Sequence, residues 1–298
     1  MDAEGMAGRK PVKRRRIRMW KGAWKRLTRN VVAMICIAII LLFAFVAVFA
    51  EQIIPFSAGI RQNVETRLLP PSRDFPFGTD HFGRDYFSRM VHGSRVSLTV
   101  GIWVSLIVLG ASAILGGASA FYGGWFDVLV MRICDLLLSI PPILLTLLLI
   151  AVLGPGRNNM LIGLSVASIP GATRTFRAIM LNVIANDYIA AAKISGCGDF
   201  RIIIKLVVPN VMAYMILSFT TGIPNMIIQI SSLSFIGLGI QPPNPEWGAL
   251  LSTSREYMRQ SPHLFLIPCL AILIVNLAFS LLGDSLRDVL DPRLRSGV

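Results

Sequence analysis

Six polar side chains recur along one uncharged stretch of this chain: Tyr214, Ser218, Thr221, Asn225, Gln229 and Ser232. Their spacings of 4, 3, 4, 4 and 3 place all six on one face of an α-helix. Hydroxyls and carboxamides of this kind bond to polar groups without selecting charge. At membrane depth they need protein partners or a water-filled path. Two readings therefore stand: a lined path for a polar solute, or hydrogen bonds between helices worth roughly 0.6–2 kcal/mol each. Asn276 and Ser280, on one face with Gly283, repeat the pattern farther along. The candidate lining set is Ser218, Thr221, Asn225, Gln229, Asn276 and Ser280.

A second candidate occupies residues 187–206. The run Asp187-Tyr188-Ile189-Ala190-Ala191-Ala192-Lys193-Ile194-Ser195-Gly196 starts as a good helix former and stops at glycine. Asp187 is placed to cap this first arm, and Asp199 to cap a shorter one through Phe200 and Lys205. Ala190, Ala191 and Ala192 leave a slim helix able to enter a cleft on another protein, and Gly196 allows a sharp return. Ile194, Phe200 and Ile203 supply an apolar contact face. The pattern describes a docking knob or, equally, an amphipathic loop lying on lipid headgroups.

Metal and nucleophile chemistry is not indicated. Cys36, Cys134, Cys197 and Cys269 lack CxxC spacing, and His81, His92 and His263 lie far apart. No lysine follows a glycine, so a phosphate-cradling P-loop is absent.

The elements that must position these residues are membrane helices. The 298 residues are 54% hydrophobic and 15% charged, against about 25% charge in soluble domains. A cytosolic enzyme or a disordered chain does not fit. Residues 31–50 form a charge-free run covering about 30 Å as a helix, the thickness of the hydrocarbon core, and longer than a signal-peptide apolar region. Further spans are expected at 97–120, 133–153, 159–182, 211–234 and 262–283, giving an all-α polytopic membrane protein with six transmembrane helices. The fourth is the weakest, since its uncharged core ends before Arg174; it is either short or its arginines snorkel.

Charge sets the orientation. Eleven of the 29 basic residues lie between Arg9 and Arg29, and six spans put 20 of the 29 on one side. The positive-inside rule makes that side cytoplasmic, with both termini on it. The basic tail reads as a flank attracted to anionic lipid, not as a nucleic-acid arm. The organisation is thus a tail over 1–30, a first helix over 31–50, an extracytoplasmic loop over 51–96, a five-helix core over 97–283 carrying the 187–206 segment, and a tail over 284–298. Pro141-Pro142 should break the third span and Gly222-Ile223-Pro224 the fifth. Ser97, Gly101, Ser105, Ser112 and Gly116 on one face of the second span read as close packing. Arg132 and Asp135 read as a local ion pair.

Tyr188–Asn210 resembles the "EAA loop" of bacterial binding-protein-dependent ABC importers. Ala191, Ala192, Gly196, Pro209 and Asn210 match that pattern, whereas Ala190 replaces its usual Glu and Leu206 its common His. Three further stretches resemble the C-type permease subunit of the peptide/nickel uptake group. They are Leu69-Pro70-Pro71 with Phe77–Asp85; Leu233–Gly239 with Gln241-Pro242-Pro243 and Trp247-Gly248; and Gly283–Asp288 with Asp291-Pro292-Arg293. The resemblance runs from about Asn30 to Arg293.

This resemblance implies a type I importer permease (MetI-like) fold in the bacterial inner membrane. It implies a pore shared with a homologous B-type permease subunit, two ATPase subunits that bind ATP and Mg, and a solute-binding protein. The chain itself would carry no cofactor and catalyse no reaction. Cargo would be di- or oligopeptides, with nickel chelates, glutathione or opines as alternatives in the same group. Residues 187–206 would be the coupling segment seated in an ATPase groove, where Asp187 either replaces the missing Glu charge or caps the helix. The Gly78–Asp85 loop would contact the receptor or form a capped turn over the gate. Among rivals, a membrane-embedded enzyme needs convergent nucleophiles or metal ligands, and a secondary transporter usually shows inverted repeats and intramembrane ionisable groups; neither pattern is evident. If the orientation holds, an impermeant thiol reagent labels Cys197 in inverted vesicles and not in intact spheroplasts. Labelling from outside would reverse the topology.

Overall fold

A backbone amide at bilayer depth must find its partner inside the protein, and an α-helix provides that partner within one segment. The computed structural model describes Gly22 and residues 24–290, and among these the only β-pairing is an isolated bridge between Thr79 and Asp85. Most of the basic amino tail and the Asp291-Pro292-Arg293 motif lie outside the described residues. The principal helices are α1 (Val31–Val48), α2 (Tyr86–Tyr122), α3 (Gly124–Leu138), α4 (Pro142–Leu153), α5 (Arg157–Ile184), α6 (Asp187–Ile194), α7 (Asp199–Ile202), α8 (Val208–Phe235), α9 (Trp247–Ser254) and α10 (Pro262–Leu290).

Buried apolar clusters define two ends of the bundle. Ala120, Phe121, Phe176, Met180, Ile189, Ile202, Val207 and Val211 meet at one end. Leu27, Ala33 and Val289 bring the start of α1 and the end of α10 together. Ala47, Tyr86, Met90, Trp247, Leu250 and Leu264 share a cluster that reaches the other, loop-bearing end. Helices α1, α2, α5, α8 and α10 therefore run the length of the bundle, α1 and α8 in one direction and α2, α5 and α10 in the other. Among the described residues, four segments are long and apolar enough to cross a membrane, and the bent α3–α4 pair makes a fifth. Large side chains such as Val31, Ile35, Leu41, Phe45 and Val48 of α1 face outward, as a lipid-facing helix requires.

Helix α2 departs from its expected span. Its 37 residues cover about 55 Å against roughly 30 Å of hydrocarbon, so its first turns stand outside the bilayer. It starts at Tyr86 because the Asp85 carboxylate accepts from Phe87 N at 2.8 Å and Ser88 N at 3.4 Å. The extra turns carry Arg89 and His92, which the sequence alone assigns to a loop. The preceding segment covers both: Arg89 donates to Gly59 O at 3.3 Å, and His92 Nε2 lies 2.9 Å from Ile54 O. The Phe77–Asp85 motif is the knot of this cover. Asp80 accepts from Phe82 N at 2.9 Å, Arg84 N at 3.0 Å and Arg84 Nε at 2.7 Å. Thr79 Oγ1 accepts from Leu69 N at 2.9 Å and donates to Thr66 O. The motif is thus a turn closed by its own side chains. Burial holds the His81 imidazole, stacked on Tyr257, below its ordinary value.

The third span also differs. Helix α3 begins at Gly124, well before residue 133, because Gly123 and Gly124 sit at φ +62° and +59° and turn the chain directly out of α2. At Pro141-Pro142 the axis bends by 83°, and Pro142 opens α4. Pro224 has no such effect: α8 runs unbroken from Val208 to Phe235 with Pro224 buried inside it. The difference lies in packing, since Ile223 and Ile227 beside Pro224 are core residues, whereas Ile140, Pro141 and Pro142 are exposed.

The loop-bearing end is closed by α9. Glu246 is fully buried and caps α9, accepting from Gly248 N and Ala249 N, each at 2.9 Å, and from Ser97 Oγ at 3.0 Å. Trp247 is also fully buried and donates from Nε1 to Met90 O at 3.2 Å. Tyr86 donates to Leu264 O at 2.5 Å and lies 3.1 Å from Ser254 Oγ, tying α2 to α9 and α10. Glu246→Ala should destabilise this end by about 1–3 kcal/mol, because two helix amides and a hydroxyl lose their acceptor. Glu246→Gln should recover part of the loss, read as the melting temperature of the detergent-solubilised protein.

Candidate functional site

The 187–206 segment folds into an elbow between α5 and α8. Its first arm, α6, ends where Gly196 adopts φ +73°, and Ala191 O and Ala192 O accept from Ser195 N and Cys197 N at 3.0 and 3.1 Å. Gly198, at ψ 149°, then opens α7. Neither aspartate is the N-cap. Asn186 and Gly198 hold the extended cap conformation, and Asp187 and Asp199 occupy the first helical positions. There their charge still suits the positive end of the helix dipole. Residues Ile203–Val207 form a π-helical turn that leads into α8.

The elbow has an inner and an outer face. Ile189 and Ile202 are 1% and 0% exposed and join Phe121, Phe176, Met180 and Val211. Ala192 packs partly against that cluster, and Lys193 Nζ stands 4.8 Å from the Phe121 ring centroid. Asn210 Nδ2, in the first turn of α8, donates to Tyr188 Oη on the first arm at 3.1 Å, binding the start of α8 to α6. On the outer face Ala190, Ala191 and Gly196 are exposed. Ile194 is 87% exposed and Phe200 79%. Ile203 does not complete that outward trio: it packs against the inner cluster, and Ile204 takes the outward position. The π-helical turn starting at Ile203 resets the helical register, which a spacing argument from the sequence cannot include.

Two arginines in α5 are neutralised by α3. Arg177 donates to Asp127 through Nε and Nη2, both at 2.5 Å, and Arg174 pairs with Asp135. Arg132, the local partner expected for Asp135, is 3.9 Å away. The arginines that limit the apolar stretch of the fourth expected span thus meet carboxylates on α3, with Arg174 left half exposed.

Between α2, α5 and α8 lies a cavity of about 230 Å³. Ser218, Thr221 and Asn225 line it from α8, Ser105 and Ser112 from α2, and Ser168 from α5. Thus half of the candidate lining set converges. Of the rest, Gln229 is half-buried farther toward the loop-bearing end. Asn276 is half-buried with its Oδ1 lacking a hydrogen-bond partner among the described residues. Ser280 is exposed on α10 alongside Leu273, Leu277 and Leu281. Tyr214 leaves the stripe and packs on Phe176, ring centroids 5.8 Å apart. Sequence reading assigned Ser105 and Ser112 to packing and did not single out Ser168, because serine at such spacing serves either purpose. Packing does govern their neighbours: a Cβ on Gly116 would come 2.6 Å from Thr173 O, and one on Gly101 2.9 Å from Ile227 Cγ1.

Comparison with known proteins agrees with this architecture. Residues 98–296 match the family model described as binding-protein-dependent transport system inner membrane component, and residues 18–71 match the N-terminal TM domain of oligopeptide transport permease C. The chain is 39% identical over 277 residues to the dipeptide transport system permease protein DppC of Alkalihalophilus pseudofirmus, covering 93% of this chain and 91% of that one. It is 39% identical over 276 residues, with the same coverage, to the glutathione transport system permease protein GsiD of Escherichia coli. An elbow with an apolar tip, a helical membrane bundle and these matches lead to one assignment: the chain belongs to the family of inner-membrane components of binding-protein-dependent transport systems, as a C-type ABC importer permease and not an enzyme.

Proposed function

We propose that this subunit forms half of a translocation path for di- and oligopeptides. A homologous B-type permease supplies the other half, two ATPase subunits bind ATP and Mg, and a solute-binding protein delivers the cargo. The chain crosses the membrane six times, with α3 and α4 together as the third crossing and α5 as the fourth. Both termini and the elbow are cytoplasmic, in keeping with the clustering of basic residues at that end.

One observation carries the reading. The elbow is the covalent link between α5 and α8, and those two helices line the polar cavity. An ATPase groove that grips Ile194 and Phe200 therefore pulls on both helices at once. The inner face, with Ile189 and Ile202 in the core, keeps the elbow from bending independently of the bundle. Ala190 carries no charge and Leu206 is half-buried, so the contact rests on shape and apolar surface. Asp187, exposed at the first turn of α6, supplies the only carboxylate on that arm. Along the path, Ser218, Thr221, Asn225 and Gln229 offer uncharged hydrogen bonds, and Asn276 and Ser280 of α10 extend the lining when the partner permease closes against it.

Glutathione is a second reading, favoured by the equal 39% identity to the glutathione permease GsiD. As a tripeptide it presents the same amide chemistry. Thermal-shift screening of the cognate solute-binding protein against dipeptides, longer peptides and glutathione decides between them; stabilisation by neither class would remove both.

Replacing Ala191 and Gly196 together with Leu should reduce ATP-driven uptake in proteoliposomes about tenfold or more, a loss of ~1.4 kcal/mol of coupling. Membrane insertion should be retained, because both positions face outward. Unchanged uptake would remove the elbow's coupling role.

A further inference from the structure

We propose that the Tyr188 hydroxyl and the Asn210 carboxamide form a strut that carries movement of the elbow to α8, which makes both of them positioning residues for coupled transport. This rests on the permease reading and adds to it the contact through which a gripped α6 acts on one wall of the cavity.

The chain itself is a poor route between these two helices. After α6 it runs through Gly196 at φ +73°, then Gly198, α7 and the π-helical turn Ile203–Val207 before α8 begins. Glycine in a left-handed turn and a helical turn bonded from i to i+5 are compliant pieces of backbone. A pull on α6 can be absorbed within this return. Packing does not set the direction of movement either. Ile189 of α6 meets Ile202, Val207 and Val211 in one apolar cluster, and apolar contact is non-directional.

Among the described residues, one hydrogen bond joins a side chain of α6 to a side chain of α8: Asn210 Nδ2 donates to Tyr188 Oη at 3.1 Å. It spans 22 positions of sequence and bypasses the whole return. The carboxamide nitrogen carries two protons, and Asn210 spends the other on Leu206 O, at 2.5 Å, inside the π-helical turn. A carbonyl can only accept, so the nitrogen of the carboxamide must be the atom that faces Leu206, and the Tyr188 oxygen receives the second proton. One side chain in the first turn of α8 therefore ties that helix to both the π-helical turn and α6. On the same arm, Lys193 Nζ stands over the Phe121 ring of α2. With α5 joined to it through the chain, α6 then reaches all three helices that line the cavity.

Exposure gives the strut a second property. Tyr188 is 42% exposed, and Asn210 is exposed beside it. In water such a bond contributes little, because solvent competes for both partners. A docked ATPase that covers the elbow removes that competition, and in the drier interface the bond is stronger. The strut is thus loose in the free subunit and firm in the assembly, where force has to be transmitted.

The test uses the full assembly of both permeases, the ATPases and the solute-binding protein in proteoliposomes, with a tritiated mixture of dialanine, trialanine and glutathione as cargo. The readout is solute imported per ATP hydrolysed. A loss of folding or assembly lowers both rates together and leaves this ratio unchanged. Tyr188→Phe keeps the ring, removes the hydroxyl and should lower the ratio about fivefold, the equivalent of ~1 kcal/mol. Asn210→Leu should lower it at least as far, and adding Tyr188→Phe to it should cost nothing further, since the two side chains act through one bond. Asn210→Asp keeps an acceptor for the Tyr188 proton. It should retain most of the ratio alone and lose about fivefold once Tyr188→Phe is added. If Asn210→Leu does not assemble, the Asn210→Asp pair decides. An unchanged ratio in Tyr188→Phe, losses that multiply in the double variant, or an Asn210→Asp ratio indifferent to Tyr188→Phe would overturn the strut. Failure of the unaltered assembly to import any of the three peptides with ATP would instead overturn the permease reading.

Discussion

Two guanidinium groups set into α5 constrain the packing around it. Arg174 is half exposed and Arg177 about one-third exposed, and both meet carboxylates on α3. The pairs hold α3 against the elbow half of α5. Thr146 and Ile150 of α4 sit beside Gly163, against its other half. The two short helices thus follow one long neighbour in antiparallel order, and the chain accommodates this with the 83° bend at Pro141-Pro142. Ion pairs of this kind add little net stability but are well suited to fixing which surfaces meet. Here they fix the path of the third span and, through α5, the point at which the elbow emerges.

The elbow joins two opposite physical requirements. Its inner face is firmly packed: Ile189 and Ile202 are core residues, and Asn210 at the start of α8 donates to Tyr188 on the first arm. Its outer face must remain unfilled, and it keeps Ile194 and Phe200 in the open beside Ala190 and Ala191. Apolar side chains this exposed at the tip of a firmly anchored segment are typical of a contact surface. The elbow connects α5 to α8, and both helices line the polar cavity. At the far end, Glu246, Trp247 and Tyr86 bind α9 to α2 and α10.

Charge and apolar periodicity sufficed to read a helical membrane protein and the elbow, because these depend on local composition and on spacing within one helix. The α8 stripe was legible for the same reason. What the sequence left open were the matters settled by neighbours. A serine on α2 looks identical whether it packs or lines a cavity. Ser105 and Ser112 were read as packing because nothing in their spacing reveals that α5 and α8 leave room in front of them. Ile203 was assigned outward because a π-helical turn shifts register invisibly.

The same division holds for the charges and prolines. Sequence alone determined that Arg174 and Arg177 needed an explanation and that Pro141-Pro142 and Pro224 were possible breaks. Only the tertiary structure decided that Asp127 and Asp135 neutralise the arginines and that the chain bends at the first break while α8 runs straight through the second. The loop before α2 shows the principle most plainly. Its turn residues were readable, but Arg89 and His92 became helical because Asp85 caps them and the folded loop covers them. Helix formation is a local free energy, set by residue type and caps. Burial of a charge or a hydroxyl is decided by which surface another segment brings to it, and that is a property of the assembled bundle.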